Sequence, residues 1–90
     1  MRTEEYIIIL AGVVAADNQL TITYSSNAPE DLCSIRVTDD KGKECGRFDR
    51  VRPADKGIVT MPLTGLQAGN YTCEISHGGR VSDSRTFVVE

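Results

Sequence analysis

Residues 66–75 read Leu-Gln-Ala-Gly-Asn-Tyr-Thr-Cys-Glu-Ile, and this stretch decides the fold. Tyr71, Cys73 and Ile75 recur with a period of two, and the residues between them are polar. Successive side chains of a β-strand point to opposite faces, so the pattern predicts a strand with one buried and one solvated face. Leu66 precedes the strand across a turn, where a leucine can close the end of an apolar core.

The same kind of alternation recurs along the whole chain, and no segment has a helical period. Turn residues interrupt it at intervals of about 8 to 12 positions, as in sandwiches and barrels. We therefore predict an all-β fold of seven strands. Their apolar positions are Tyr6–Leu10 with Val13 and Val14; Leu20, Ile22 and Tyr24; Cys33, Ile35 and Val37; Cys45 and Phe48; Val59, Met61 and Leu63; Tyr71, Cys73 and Ile75; and Phe87 and Val89.

Two connections carry specific expectations. Residues 47–57 are mostly polar and are predicted to form an exposed connection. Gly78 and Gly79 predict a tight hairpin. A plain two-residue turn there would place Phe87 on the wrong face, so we expect a bulge or a longer loop between Gly78 and Ser84 to shift the register.

The corner at residues 66–75 resembles the entry to strand F of an immunoglobulin-like sandwich, in which a tyrosine lies two residues before a cysteine. From about Leu10 onward the chain is similar to small immunoglobulin-like domains of Bacteroidetes surface proteins and of viruses that infect bacteria. It departs from antibody-type domains because Ile22 and Ile35 occupy the positions of the strand B cysteine and the strand C tryptophan. The resemblance implies a seven-stranded immunoglobulin-like β-sandwich without the inter-sheet disulfide, acting as a binding or structural module.

Length and composition fit one soluble domain covering residues 1–90. The net charge of -3 argues against nucleic acid as a partner, because phosphate binding requires an excess of clustered basic residues. The apolar run from Tyr6 to Ala16 is shorter than the about 20 residues that span a bilayer, so no membrane insertion is expected. Acids flank this run, and with Met1 as the first residue a native start without an export signal is expected.

Three cysteines cannot all pair within one chain, so at least one thiol is expected to be free. If Val37 pairs with Cys45 in the predicted hairpin, Cys33 faces Asp49. The two thiols are then roughly 13 Å apart, too far for a bond. A non-oxidising place of synthesis fits such a chain best.

Tyr6–Leu10 is apolar on both faces, which an edge strand of a sandwich does not need. Either a neighbouring loop covers the second face, or the segment meets another chain by edge pairing or through an apolar patch. Residues 1–10 are therefore a candidate assembly or edge-strand segment.

Catalytic chemistry is not expected. His77 is predicted at a hairpin tip in solvent, and Cys73 in the core, so the pair lacks the contact that a nucleophile and its base require. Asp39, Asp40 and Glu44 match no calcium-loop spacing. We expect no catalytic residue, no cofactor and no metal.

Two functions remain. The first is a non-catalytic structural or interaction protein, most plausibly an accessory or decoration component of a bacteriophage virion, made in the host cytoplasm, or of another large assembly. The alternative is a recognition module of the bacterial cell surface that binds protein or glycan. Partners are expected to be proteins, self-association included. The candidate contact residues are Tyr6, Ile7, Ile8, Ile9, Leu10, Arg47, Arg50, Arg52, His77 and Arg80.

Overall fold

A computed structural model describes residues 6–29 and 32–90 of the chain. The described residues contain seven strands and no α-helix. They include no helix that is long and apolar enough to cross a membrane. The strands are β1 (Ile8–Ala16), β2 (Gln19–Ser26), β3 (Cys33–Asp39), β4 (Glu44–Asp49), β5 (Ala54–Pro62), β6 (Gly69–His77) and β7 (Arg80–Val89).

The strands form two antiparallel sheets packed face to face. One sheet has the order β1-β2-β5 and the other the order β4-β3-β6-β7. Lettered along the chain, these are A-B-E and C′-C-F-G, an arrangement of the immunoglobulin-like sandwich. All three cysteines lie in the described part and are free, so the predicted sandwich without an inter-sheet disulfide is confirmed.

The corner before β6 is closed by a hydrogen bond. The Tyr71 hydroxyl donates to the carbonyl of Gln67 at 2.6 Å, and the Tyr71 ring stacks on Phe87 with centroids 5.5 Å apart. Tyr71, Cys73 and Ile75 are buried, as their spacing predicted. Their strand therefore supplies the centre of the core on the side of the four-stranded sheet.

The predicted register shift in the last hairpin is present. Gly78 and Gly79 form a two-residue turn with φ values of 58° and 81°. Ser76 pairs with Val81 while Ile75 pairs with Asp83, so Ser82 is the extra residue of a bulge. Because of this shift Tyr71 faces Phe87, and the Phe87 side chain enters the core.

The expected register of the β3–β4 hairpin was wrong, because the hairpin contains a bulge that shifts the pairing. Val37 pairs with Gly46 rather than with Cys45, and the register shifts between Val37 and Thr38. Asp49 consequently faces Ser34 instead of Cys33. The conclusion drawn from that register, that Cys33 and Cys45 form no bond, is nevertheless confirmed.

The exposed connection predicted over residues 47–57 is much shorter in the structure. β4 continues to Asp49 and β5 begins at Ala54, so only four residues link them. One of these, Val51, is buried, and its N–H donates to the carbonyl of Cys33 at 3.0 Å. Both strands lie at sheet edges, where polar side chains are compatible with pairing on one side.

Candidate interaction surface

The N-terminal segment presents its two faces to different surroundings. Ile8 and Leu10 are buried in the core, whereas Ile7 is 67% exposed and Ile9 is 45% exposed. The alternative in which a loop covers the second face is therefore wrong for these two isoleucines. Ile8 and Leu10 stabilise the fold and are not accessible to a partner, which corrects their place among the candidate contacts.

Hydrogen bonds fix the backbone of this segment. The N–H of Ile7 donates to Oδ1 of Asn27 at 2.8 Å, and the N–H of Asn27 donates back to the Ile7 carbonyl at 3.3 Å. On the opposite edge, the N–H of Leu10 donates to Oδ2 of Asp83 in β7 at 2.8 Å. The exposed isoleucines are thus held in place before any partner arrives, which lowers the entropy cost of binding.

Ile9 belongs to a larger surface, the outer face of the β1-β2-β5 sheet. This face consists of Ile9, Gly12, Val14 and Ala16 on β1, Gln19, Thr21, Thr23 and Ser25 on β2, and Ile58, Thr60 and Pro62 on β5. None of these side chains is ionisable, and we call the surface the uncharged face. Val14 is 58% exposed and Ile58 is 63% exposed. Lys56 and Asp17, both exposed, lie at its rim.

The outer face of the β4-β3-β6-β7 sheet differs in charge. Arg36 contacts Glu74 at 3.2 Å across the β3–β6 pair. Arg47 contacts Glu44 at 3.0 Å and Asp49 at 2.9 Å. These side chains are partly exposed, and the charged groups keep the surface solvated. We call it the charged face.

The structure does not bring the candidate arginines together. Arg47 is held by its two carboxylates, and β4 ends two residues later. Arg50 adopts a φ of 58° in the link between β4 and β5, so it does not continue the strand that carries Arg47. Arg52 accepts the Tyr24 hydroxyl on its backbone carbonyl at 2.8 Å. Arg80 lies exposed at the start of β7, in the β6–β7 hairpin.

His77 is half-buried rather than fully in solvent as predicted. It pairs with Arg80 at the end of β6, and its ring meets the Tyr6 ring edge to face with centroids 5.0 Å apart. Its Nε2 atom is enclosed and has no hydrogen-bond partner among the described residues. His77 therefore packs against the N-terminal segment, and Tyr6 is a packing contact as well.

The arrangement supports no nucleophile. Cys73 and His77 are four residues apart on one strand, or about 13 Å at the usual rise per residue. Burial, with a smaller contribution from the charge of Glu74, raises the pKa of the Cys73 thiol to about 12, so it stays protonated at neutral pH. A reactive thiolate requires the opposite environment.

Acidic residues in the β3–β4 turn serve the turn itself. The Asp39 carboxylate accepts the backbone N–H groups of Lys43 and Lys41 at 2.8 and 2.9 Å. The bond from Lys43 makes the largest contribution to lowering the Asp39 pKa. Among residues 6–29 and 32–90 no three His, Cys, Asp or Glu side chains are grouped closely enough to hold a metal ion.

Sequence reasoning missed most of the uncharged face. It selected Ile7 and Ile9 but not Val14 or Ile58, because the candidate segment ended at Leu10 and the later strands were used only to assign core residues. The signal lay in β2, where Thr21, Thr23 and Ser25 face outward without a single charge. That signal becomes informative only when the three strands are placed side by side.

Comparisons with known proteins show the fold. No family model matches the chain, and no curated protein matches it. Among solved structures the chain is similar to a DUF3244 family protein with an immunoglobulin-like β-sandwich fold from Bacteroides vulgatus. The two are 24% identical with a TM-score of 0.59, over 87% of this chain and 81% of that one. The chain is thus an immunoglobulin-like sandwich, as its strand order indicates.

A second similarity is to part of a much larger enzyme. A β-glucosidase from Kluyveromyces marxianus, solved in complex with glucose, matches with a TM-score of 0.65 and 13% identity. The match covers 96% of this chain but only 14% of the enzyme. It indicates that the same fold occurs as a domain-sized part of that protein, and at this identity it shows the fold alone.

Proposed function

We propose that this chain is a non-catalytic interaction protein that attaches to a larger protein assembly through its N-terminal segment and the adjoining uncharged face. The observation that carries the proposal is the exposure of Ile7 and Ile9 on a backbone fixed by hydrogen bonds. Exposed apolar patches on small soluble domains commonly mark protein interfaces. The core thiols and turn acids described above offer no competing chemistry.

The proposed setting is the virion of a bacterial virus, with the chain as an accessory or decoration component. Three free thiols, two of them buried, support folding in a reducing compartment such as a host cytoplasm. The second candidate is a recognition module of the bacterial cell surface. Its support is the fold shared with the Bacteroides vulgatus protein.

Incorporation into the assembly tests the proposal. Native protein should sediment from its source material with a larger particle, and the double variant Ile7→Asp, Ile9→Asp should stay in the soluble fraction. Val81→Asp is the matched control, because Val81 is a similarly exposed β-branched residue on the other sheet. Wild-type protein that never sediments with a particle would overturn the proposal.

The nature of the particle separates the two settings. Co-sedimentation with nucleic-acid-filled particles supports the virion, and co-sedimentation with envelope fragments supports the surface module. Deleting residues 1–10 is unsuitable for this experiment, because it would also remove the core residues Ile8 and Leu10.

A further inference from the structure

We infer that the uncharged face binds a second copy of this chain, forming a two-fold symmetric dimer in which the two β1-β2-β5 sheets pack face to face. This inference rests on the proposed interaction role and names the first partner within it. The charge, the shape and the area of the face support this dimer.

Charge favours self-recognition. The chain carries a net charge of -3, yet none of the side chains that form the uncharged face is ionisable. Among the described residues of β5, exposed Asp55 and Lys56 lie at the rim of the face, opposite Ser25. Two copies can therefore approach through this face without a like-charge contact, which would oppose association. A different protein that binds through charged groups would have none to contact on this face, because the outward groups are hydroxyls, an amide and apolar side chains.

The shape of the face is complementary to itself, because one edge strand has a gap and the other has a protruding side chain. Gly12 pairs with Thr23, and Thr23 pairs with Ile58, so these three residues form one row across the sheet. At Gly12 the row has no side chain, and the position of a Cβ is open, with no atom within 4 Å. We call this gap in the row the hole. Ile58, 63% exposed, is a knob at the other end of the row, about 10 Å away across two strand spacings.

Only one orientation of the two-fold axis fits the hole and the knob together. An axis parallel to β2 places β1 of each copy over β5 of the other, so that Ile58 of each enters the hole at Gly12 of its partner. An axis perpendicular to the strands places β1 over β1, where hole meets hole. The first orientation also keeps the strands of the two sheets roughly aligned, as in face-to-face sheet packing.

The area predicts a weak dimer. Four rows on three strands cover about 27 Å by about 14 Å, or roughly 380 Å² in projection on each copy. The accessible area is larger because the side chains stand up from the sheet. Even so, the pair falls near the lower limit of about 1,200 Å² for specific interfaces, where complexes are reversible. Self-association should therefore depend on concentration.

Sedimentation equilibrium of the full chain, from micromolar to millimolar concentration, tests the inference. The weight-average mass should rise from 9.8 kDa toward twice that value. Thr23→Lys places a charge at the centre of the face and should weaken association by about tenfold or more. Thr72→Lys is the matched control, since Thr72 lies outward at the centre of the other sheet, and it should leave association unchanged.

Mixing two variants tests the proposed contact itself. Gly12→Val fills the hole and Ile58→Ala removes the knob, so each alone should associate about tenfold more weakly. In a mixed pair the filled hole faces the missing knob, and the second contact is native. The mixture should thus regain most of the wild-type association, which general destabilisation could not produce.

Three results would overturn the inference: a wild-type chain that stays monomeric at every concentration, a Thr72→Lys variant as weak as Thr23→Lys, or a mixture no stronger than its components. A monomeric wild-type chain that still incorporates into its assembly would leave the proposed function intact. A chain that dimerises but never sediments with a larger particle would support the dimer and overturn the proposed function.

Discussion

The outer faces of the two sheets are built on the same strand pattern, yet they present opposite surfaces. On the β4-β3-β6-β7 sheet, Arg36 and Glu74 form an ion pair beside the Arg47 cluster. On the β1-β2-β5 sheet, most outward positions carry threonine, serine, glutamine and apolar residues, and Lys56 lies at the rim. Charge on an outward strand face favours solvation, and its absence over three adjacent strands leaves a surface that another protein can cover at little desolvation cost. The proposed interaction surface is therefore the outer face of the sheet that carries almost no charge.

The inner faces, by contrast, should be equivalent. Ile22 in β2 and Ile35 in β3 are both fully buried in one core. Replacing either by alanine should lower the free energy of unfolding by about 3 kcal/mol, the usual cost of a large-to-small change in a packed core. Urea denaturation followed by circular dichroism measures both. A cost for one variant that is several times the other would show that the sheets do not share the core equally.

Removing a buried tyrosine hydroxyl should lower the stability by a smaller amount, and by a similar amount in each sheet. The hydroxyls of Tyr24 and Tyr71 each donate to a backbone carbonyl, at 2.8 Å to Arg52 and at 2.6 Å to Gln67. Replacing either tyrosine by phenylalanine removes one hydrogen bond and should cost about 1 kcal/mol of stability. Thermal unfolding of the two variants side by side is the measurement. An unchanged melting temperature for Tyr71→Phe would contradict the stabilising role given to the corner.

The buried thiol adds a pH dependence that belongs to the core and not to either outer face. Burial raises the pKa of the Cys73 thiol in the folded chain from its ordinary value of 9.0 to about 12. The folded state therefore binds the proton more tightly, and stability should fall as the pH rises from about 9 toward 12. The control is Cys73→Ala, which should flatten this part of the stability curve. A variant with the same loss above pH 9 would exclude Cys73 as its cause.

The smallest expected effect is confined to the charged face. Arg36 and Glu74 are partly exposed, so Arg36→Ala should cost less than about 1 kcal/mol. The loss should shrink further in molar salt, which screens exposed charges. Denaturant midpoints at low and high salt measure it. A salt-insensitive loss would indicate that the Arg36 stem, and not its charge, matters.

Much of the fold could be predicted from the sequence because apolar alternation directly reports burial. The triplet Tyr71, Cys73 and Ile75 fixed one strand and its inner face, and the position of Phe87 demanded the bulge that the structure contains. These inferences depended on large apolar side chains, whose placement in the core is strongly favoured.

The extent of the edge strands could not be predicted. Residues 47–49 and 54–57 pair on one side only and carry polar side chains, so they resemble a loop in sequence. Their strand character comes from pairing with the neighbouring strands β3 and β2, and β2 lies far from β5 in the chain.

The candidate surface was predicted only in its N-terminal part. Ile7 and Ile9 stood out because a run of apolar residues is visible along the chain. Gly12, Thr23 and Ile58 are ordinary residues in their own segments and become one row only through the register of three strands. The face is defined by the absence of charge over three paired strands, and this absence cannot be seen in any one segment of the sequence.

Concentration-dependent NMR spectra test most directly whether the uncharged face is the interaction face. Amide spectra of the labelled chain would be compared between micromolar and millimolar concentration. We predict that the shifting resonances cluster on Gly12, Thr21, Thr23 and Ile58, while those of Thr72 and Glu74 stay fixed. Shifts centred on the charged face, or spectra identical at both concentrations, would contradict the account.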